Sequence, residues 1–439
     1  MRATRIPPCL LLCAALLVSC ASVEHYKEID DSVSRGDFPE ALEKVKKEEN
    51  EGYREKDAIL FYLDAGLLSH YSQSWAESSA YLGKGEKAIE VAFTKSLSQG
   101  AASYLVNDMT KEYDGEDYED IYLNVFNSLN YYHRGSLDGA LVEVRRIDNK
   151  LKNLSVKYGQ SITNAQRDLL DKDSGIPFDA SVASIRFSNS ALARYLSMLF
   201  YRADGLFDDA RIDRDKVKLA FANQRDMYPF PLPSTLDGEL SIPRGMARLN
   251  VISFSGLSPA KQEETVRIPL SGSRWVKVAI PVIKKRPTKV ARVELTLSNG
   301  ETHPLELLED LSAVAQETFR GKAGLIYLKT VLRSVLKTTS SVILEEQSSK
   351  ASSLEESLIL GLLSLGTQAY AEASEQADLR LSRYFPAKAH VVGVTLPPGV
   401  YSYTVTYYDA SNNPVHSVDF KDVEVRPGKL TLSEAICIK

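Results

Sequence analysis

The amino-acid sequence predicts an α+β fold, with helix hairpins in its first half and an antiparallel, β-rich second half. Three observations predict it. In residues 37–226 apolar side chains fall at i, i+3, i+4 and i+7, the stripe of an amphipathic helix. A breaker motif of constant form recurs between those stripes. After Pro243 the chain turns to β-branched residues in partial alternation, punctuated by Asn-Gly and Pro-Gly turns.

Arg2 and Arg5 precede an apolar run from Ile6 to Val18. That run is too short to span a bilayer, which needs about 20 residues. A basic start, a short apolar segment and small residues before a cut form a secretory signal. Leu17-Val18-Ser19-Cys20 adds an apolar residue three before a cysteine and a small one directly before it, the pattern of bacterial lipoprotein signals. We therefore expect residues 1–19 to be removed. Cys20 then becomes the first mature residue, diacylglycerylated on sulfur and acylated on nitrogen. At about 0.8 kcal/mol per buried CH₂, several acyl chains make an effectively permanent anchor. Residues 20–36, with Glu24, Lys27, Glu28, Asp30 and Asp31, read as a polar tether running into a first helix. Ala21 is not an aspartate, which favours the outer membrane, facing the periplasm.

Hydrophobic residues make up 44% and charged residues 25% of the 439, enough for a sizeable core. The formal net charge of −5 leaves no global basic footprint for nucleic acid. Cys9 and Cys13 leave with the signal and Cys20 carries lipid, so Cys437 has no internal disulfide partner. Set after Leu430, Leu432 and Ala435, Cys437 reads as a buried small hydrophobe.

Gly36-Asp37-Phe38-Pro39-Glu40-Ala41 opens the helical part, residues 37–226. Its order of turn, large residue and small residue returns as Ser74-Trp75-Ala76-Glu77-Ser78, as Gly135-Ser136-Leu137-Asp138-Gly139-Ala140 and as Gly205-Leu206-Phe207-Asp208-Asp209-Ala210. Phe38 and Trp75 are 37 positions apart, and Leu137 and Phe207 are 70 apart. These spacings approximate one and two periods of the tetratricopeptide (TPR) repeat, whose unit is about 34 residues. The helical part therefore reads as a TPR-like α-solenoid. Residues 117–151 show it best. Tyr118, Ile121, Tyr122, Val125, Phe126, Leu129 and Tyr132 form one stripe and Gly135 ends it. Leu137, Ala140, Leu141, Val144, Ile147 and Leu151 form the next. Residues 57–72 with 74–93, and 179–203 with 206–225, make further pairs. Stacked pairs of this kind leave a concave binding surface.

Pro229, Pro231 and Pro233 favour a stiff extended path. Residues 227–245 thus read as a Pro-rich linker and 246–439 as a β-rich domain. Strands are expected over 247–253, 265–270, 275–283, 289–298, 388–396, 400–408, 415–420, 423–425 and 430–437. Asn299-Gly300 accepts the positive φ of a type I′ hairpin. Pro397-Pro398-Gly399 and residues 410–414 make further turns. A helical insertion is expected at about 310–375. Asp310 caps a helix over 311–319, residues 325–336 form another stripe, and 354–373 form a third helix. The apolar run 358–363 within it is too short to cross a membrane.

Patterns that carry chemistry are few. His25, His70, His133, His303, His390 and His416 contain no His-x-x-x-His pair, and no cysteine pair exists for zinc. Phosphate-binding loops, dinucleotide fingerprints and the Gly-x-Ser-x-Gly elbow do not occur. Glu112, Asp114, Glu116, Asp117, Glu119 and Asp120 crowd a helix start, where carboxylates complement the helix dipole. Residues 171–175 read as a turn, and Lys284-Lys285-Arg286 as a solvated loop. Asp378, Arg380 and Arg383 form the constellation that stands out. A guanidinium matches a carboxylate in a planar fork, so these three make either a structural brace or a contact for an anion.

The stretch Ala377-Asp378-Leu379-Arg380-Leu381-Ser382-Arg383-Tyr384-Phe385-Pro386-Ala387 is followed by a strand and the turn Leu396-Pro397-Pro398-Gly399. It resembles an uncharacterised family of bacterial lipoproteins with a TPR-like helical N-terminal half and a mixed α/β C-terminal half. That family's pattern is Ala-Asp-x-Arg-x-x-Arg-x-x-Pro-Ala. Ser382 stands where members often carry Trp, and the unit over 113–146 fits as well. The resemblance implies an envelope lipoprotein with no established activity, often accompanying lipoproteins that activate peptidoglycan synthases.

The expected function is a non-enzymatic scaffold without metal or cofactor. Its lipid holds it to a membrane, and its helical half binds an envelope protein partner. The competing expectations are an accessory factor that binds cell-wall peptidoglycan through the back half, and an unrecognised hydrolase.

Overall fold

The computed structural model describes residues 21–98, 111–154, 157, 185–270, 274–327, 330 and 376–439. Leu17, Val18, Ser19 and Cys20, the turn at 171–175 and the helix expected over 354–373 lie outside the described residues.

Among the described residues, eight helices precede the first strand and pair into four hairpins. These are α1 (Ala21–Arg35) with α2 (Phe38–Lys47), α3 (Ala58–Tyr71) with α4 (Trp75–Ser98), α5 (Asp117–His133) with α6 (Leu137–Leu154), and α7 (Ala191–Ala203) with α8 (Phe207–Asn223). Each second helix also packs on the first helix of the next hairpin. One turn closes all four. Its first amide donates three residues back: Gly36 to Val33, Gln73 to His70, Gly135 to Tyr132 and Gly205 to Arg202, at 2.8–3.2 Å. Its next amide donates five residues back: Asp37 to Ser32, Ser74 to Ser69, Ser136 to Tyr131 and Leu206 to Tyr201, at 2.9–3.0 Å. The first of these residues must take the left-handed conformation, at φ 80°, 60°, 78° and 78° in chain order. Three are glycine, which reaches that region without a Cβ penalty. Four residues beyond each second amide stands a small, fully buried residue: Ala41, Ser78, Ala140 and Ala210. The two helices of each hairpin can therefore approach closely.

Nine strands follow: β1 (Ala247–Leu257), β2 (Ala260–Leu270), β3 (Arg274–Lys284), β4 (Arg292–Leu297), β5 (Thr302–Asp310), β6 (Pro386–Leu396), β7 (Gly399–Tyr408), β8 (Pro414–Val425) and β9 (Thr431–Cys437). Seven form one sheet in the order β8-β7-β4-β5-β6-β1-β9, and β2 and β3 form a separate two-stranded ribbon. The large sheet is antiparallel except where β9 runs parallel to β1. Gly300 takes φ 88° in the β4–β5 turn, as its Asn-Gly sequence requires. Asp310 caps helix α9, which covers residues 311–327, by accepting from the Ala313 amide at 2.9 Å.

Strand β1 is buried on both faces. Leu249 and Val251 point into a core shared with Leu295, Val405 and Tyr407, so the β4–β7 end of the sheet curls over β1. Ile252 and Phe254 point the other way, into the core of the helices. That second core is continuous from Ile29 of α1 to Leu432 of β9.

The mixed α+β composition agrees with the sequence reading, and three stretches differ from it in detail. The polar tether over 20–36 is helical from Ala21, and Ile29 and Val33 are buried. Their i, i+4 spacing supplies a narrow apolar stripe within an otherwise charged stretch. The Pro-rich linker over 227–245 packs onto the body through Met227, Tyr228, Leu236 and Glu239, all buried. It joins parts of one shared core and does not separate two domains. Arg286, expected in a solvated loop, donates to the carbonyls of Ser258 and Arg383, both at 2.5 Å.

Gln73 is the one non-glycine residue at the left-handed position of the four turns. An L-residue there costs about 1–2 kcal/mol, of which glycine's greater unfolded-state freedom takes back about 0.4–1 kcal/mol. Gln73→Gly is expected to stabilise the protein by about 0.5–1 kcal/mol, read as a higher midpoint in urea unfolding.

Candidate functional site

Residues 376–385 contain Asp378, Arg380 and Arg383 and form no regular secondary structure. They run as a strap across the first helices before entering β6. An extended segment has no neighbouring strand to satisfy its main chain, so side chains must do so. Carboxylates from the helices supply the acceptors. Glu119, in the first turn of α5, accepts from the Ser382 amide at 2.6 Å. Asp64, in the middle of α3, accepts from Ser382 Oγ at 2.7 Å and from the Arg383 amide at 2.9 Å. Its other oxygen accepts from Tyr53 at 3.0 Å. The Tyr71 hydroxyl donates to the Tyr384 carbonyl at 2.7 Å.

The three residues singled out from the sequence divide into two groups. Asp378 and Arg380 pair with each other at 2.8 Å, and Arg380 also reaches Asp57 at 2.8 Å and the Lys111 carbonyl at 3.0 Å. Arg383 joins neither of them. It pairs with Asp30 of α1 and lies over the Tyr26 ring, 4.4 Å from its centroid. Both guanidiniums thus link the strap to the helices.

The electrostatics follow from burial. Asp64 and Glu119 are fully buried. Burial lifts the Asp64 carboxyl to about 6, against the pull of Ser382, Arg383 and Tyr53. Burial, helped by the neighbouring Glu116 charge, lifts Glu119 to about 7. Burial opposes ionisation of Asp378 too, but Arg380 and Lys261 bring it down to about 2.

The acidic cluster at 112–120 does more than complement a dipole. Glu116 and Glu119 form a reciprocal capping box at the start of α5. Glu116 also pairs with Lys261 of β2 at 2.6 Å and with Lys322 of α9 at 3.2 Å.

Two further carboxylates stitch helices to sheet. Glu239 pairs with Arg202 of α7 at 2.5 Å and Arg248 of β1 at 2.9 Å. A side chain at Gly393 of β6 would collide with Glu239. Glu309 of β5 accepts from Tyr122 at 2.5 Å, Tyr228 at 2.7 Å and Ser190 at 2.8 Å, and burial raises its carboxyl.

The sequence reading missed a third junction. His70 and His133 both direct Nε2 at the carboxylate of Glu434 on β9. The only local hint is that each histidine stands in the last turn of a first helix. A groove of about 900 Å³ opens between α4, α5 and α6. Ile89, Phe93, Ile121 and Leu154 line it, with Arg146 and Lys150 among its charged residues.

No family model matches the chain, and no curated protein matches it.

Asp64 allows a pH test with a definite sign. Its carboxyl is raised in the fold, so its favourable contribution is complete below the unfolded value near 4 and is lost as pH rises through about 6. Asn at this position keeps an acceptor for Ser382 and Arg383 and donates to the Tyr53 oxygen. Asp64→Asn is expected to raise stability by up to about 3 kcal/mol at pH 8 and by about half as much at pH 5, measured by urea unfolding at both pH values.

Proposed function

We propose that the chain is a lipid-anchored, non-enzymatic scaffold of the bacterial cell envelope. Its hairpins act as a TPR-like stack that receives a protein partner. The recurrent turn supports the repeat reading, because four hairpins share one hydrogen-bond pattern and one small residue at the helix contact. The Leu17-Val18-Ser19-Cys20 pattern supports the anchor. The motif over 377–387 supports kinship with envelope lipoproteins.

The carrying observation concerns which helix face is free. The chain's own sheet and strap cover the first helices. Phe126 of α5 packs its ring on Phe254 and Phe385, and Tyr132 of α5 donates to the Leu430 carbonyl. The second helices carry exposed apolar side chains instead: Val91 on α4, Val142 on α6, and Ile212 and Leu219 on α8. Three of the four second helices thus offer apolar side chains to a partner. The partner surface is therefore the second-helix face with its groove, and its apolar floor and charged rim suit an amphipathic helix of the partner.

Peptidoglycan binding is the second reading. A ledge of Phe221, Tyr228 and Phe230, flanked by Pro229, Pro231 and the exposed Arg225, favours it. The half-buried rings of Phe221 and Phe230, backed by buried Tyr228, can pack on sugars, and Arg225 can meet a carboxylate.

Two experiments test the leading reading. Cys20→Ala is expected to move the protein from the membrane to the soluble fraction, and retention with membranes would exclude lipid as the anchor. Photoreactive residues at Val142 and Ile212 are expected to trap a discrete partner in intact cells. Adducts no different from those at a control position, Val400 on β7, would remove the second-helix face as the partner surface.

A further inference from the structure

We propose that His70 is a buried imidazolium whose extra proton, held against Glu434, fastens the last strand to the first helices. The directions of the hydrogen bonds require it. Ser78 Oγ donates to the Gly66 carbonyl at 2.7 Å, so its oxygen is left to accept from Asn130 Nδ2 at 2.8 Å. Asn130 therefore turns Oδ1 toward His70, 2.8 Å from Nδ1. Nδ1 must carry a hydrogen. The opposite ring nitrogen, Nε2, stands 3.0 Å from Glu434 Oε2. A neutral imidazole has one N–H only, so it would aim a lone pair at a carboxylate oxygen. A second hydrogen on Nε2 removes that conflict. His133 needs no extra proton, because its neutral Nε2–H form donates to Glu434 Oε1.

The surroundings suit a trapped charge pair. The His70 side chain is 0% exposed and that of Glu434 is 5% exposed. Burial works against the Glu434 carboxylate, yet His70 and His133 hold it down to about 2. From α4, Trp75 stacks on His133 with ring centroids 4.3 Å apart. From α5, Phe126 meets the His70 ring edge-on at 5.0 Å. The remaining titratable groups that face the pair are Tyr71 of α3 and Tyr132 of α5, and burial keeps both phenols neutral. Arg202 of α7 reaches this region only through Tyr132.

The consequence has a definite sign. The unfolded chain releases its histidine proton as pH rises through the ordinary imidazole range, near 6.5. In the proposed pair, the contacts of the two ring nitrogens with Asn130 and Glu434 hold that proton in the fold. Above that range the folded state binds one proton more than the unfolded state, so this contact weakens with rising pH. One proton changes the unfolding equilibrium by about tenfold per pH unit.

Glu434→Gln isolates the effect. A glutamine amide donates to the bare Nε2 of neutral His70, and its carbonyl accepts from His133. The variant thus satisfies the same atoms without the extra proton. Urea unfolding between pH 6.5 and 9 is expected to show a steeper loss in the wild type than in Glu434→Gln, by about tenfold in the equilibrium constant per pH unit. Nitrogen NMR of histidine-labelled wild-type protein at pH 7.5 is expected to show both His70 ring nitrogens protonated. Equal pH slopes in the two proteins, or a neutral His70 in that spectrum, would overturn the proposal. Should Glu434→Gln fail to fold, the wild-type spectrum decides alone.

Discussion

Two main-chain amides, those of Ser382 and Arg383, hold the helices to the sheet. Each lies at a point where no strand pairs with it, the Ser382 amide buried and the Arg383 amide partly so, and each finds its acceptor on a different helix. Losing a partner for a buried donor costs about 1–3 kcal/mol. Burying the accepting carboxylate also costs, which is why Asp64 and Glu119 are both shifted toward their neutral forms. The arrangement fixes register more than it adds stability. Glu119 must sit in the first turn of α5 and Asp64 in the middle of α3 for one strap to meet both. A slip of either helix would leave a carboxylate and an amide unpaired together.

That constraint decides which faces remain available. Stacked hairpins bury one another's flanks and leave two broad faces, one formed by first helices and one by second helices. Here the first-helix face is spent on the chain's own sheet. Tyr71, Tyr122 and Tyr132 each reach across to a backbone carbonyl or a carboxylate of the second half. These three tyrosines are thus devoted to an internal seam. Their rings supply buried apolar area, and their hydroxyls satisfy polar atoms that the seam would otherwise strand.

The hairpins were legible in sequence because everything that makes them is local. Apolar spacing, a breaker and a small residue four positions on all fall within one turn and its flanks. The β4–β5 hairpin was legible through Asn299-Gly300 for the same reason. The strap was legible only as a motif, because its partners are remote: Arg380 and Asp57 are 323 positions apart. Nothing local marks Asp57 or Asp30 as an arginine partner. The parallel pairing of β9 with β1 was illegible too, since parallel neighbours need no turn between them and leave no turn signal. Arg286 was misread because its acceptors are main-chain carbonyls, which any sequence supplies. The α1 stretch was misread because Ile29 and Val33 are few among many charges, and burial of a helix needs only a narrow stripe.

Ionisable groups lie at both ends of the helix–sheet seam, and their signs combine. Asp64 and Glu119 favour the fold in their protonated forms, so their contribution declines as pH rises through about 6 and about 7. Asp378 and Glu434 are held near 2 by cationic neighbours, so their contribution is complete above the ordinary carboxylate range and is lost as pH falls toward 2. Acid therefore discharges Asp378 and Glu434, while base ionises the buried acids Asp64 and Glu119 and weakens the proposed His70 contact. The seam is tightest between the two, in the mildly acidic range where Asp378 and Glu434 are charged and the helix carboxylates Asp64 and Glu119 still hold protons. A protein built this way couples the grip of its sheet on its helices to the acidity around it.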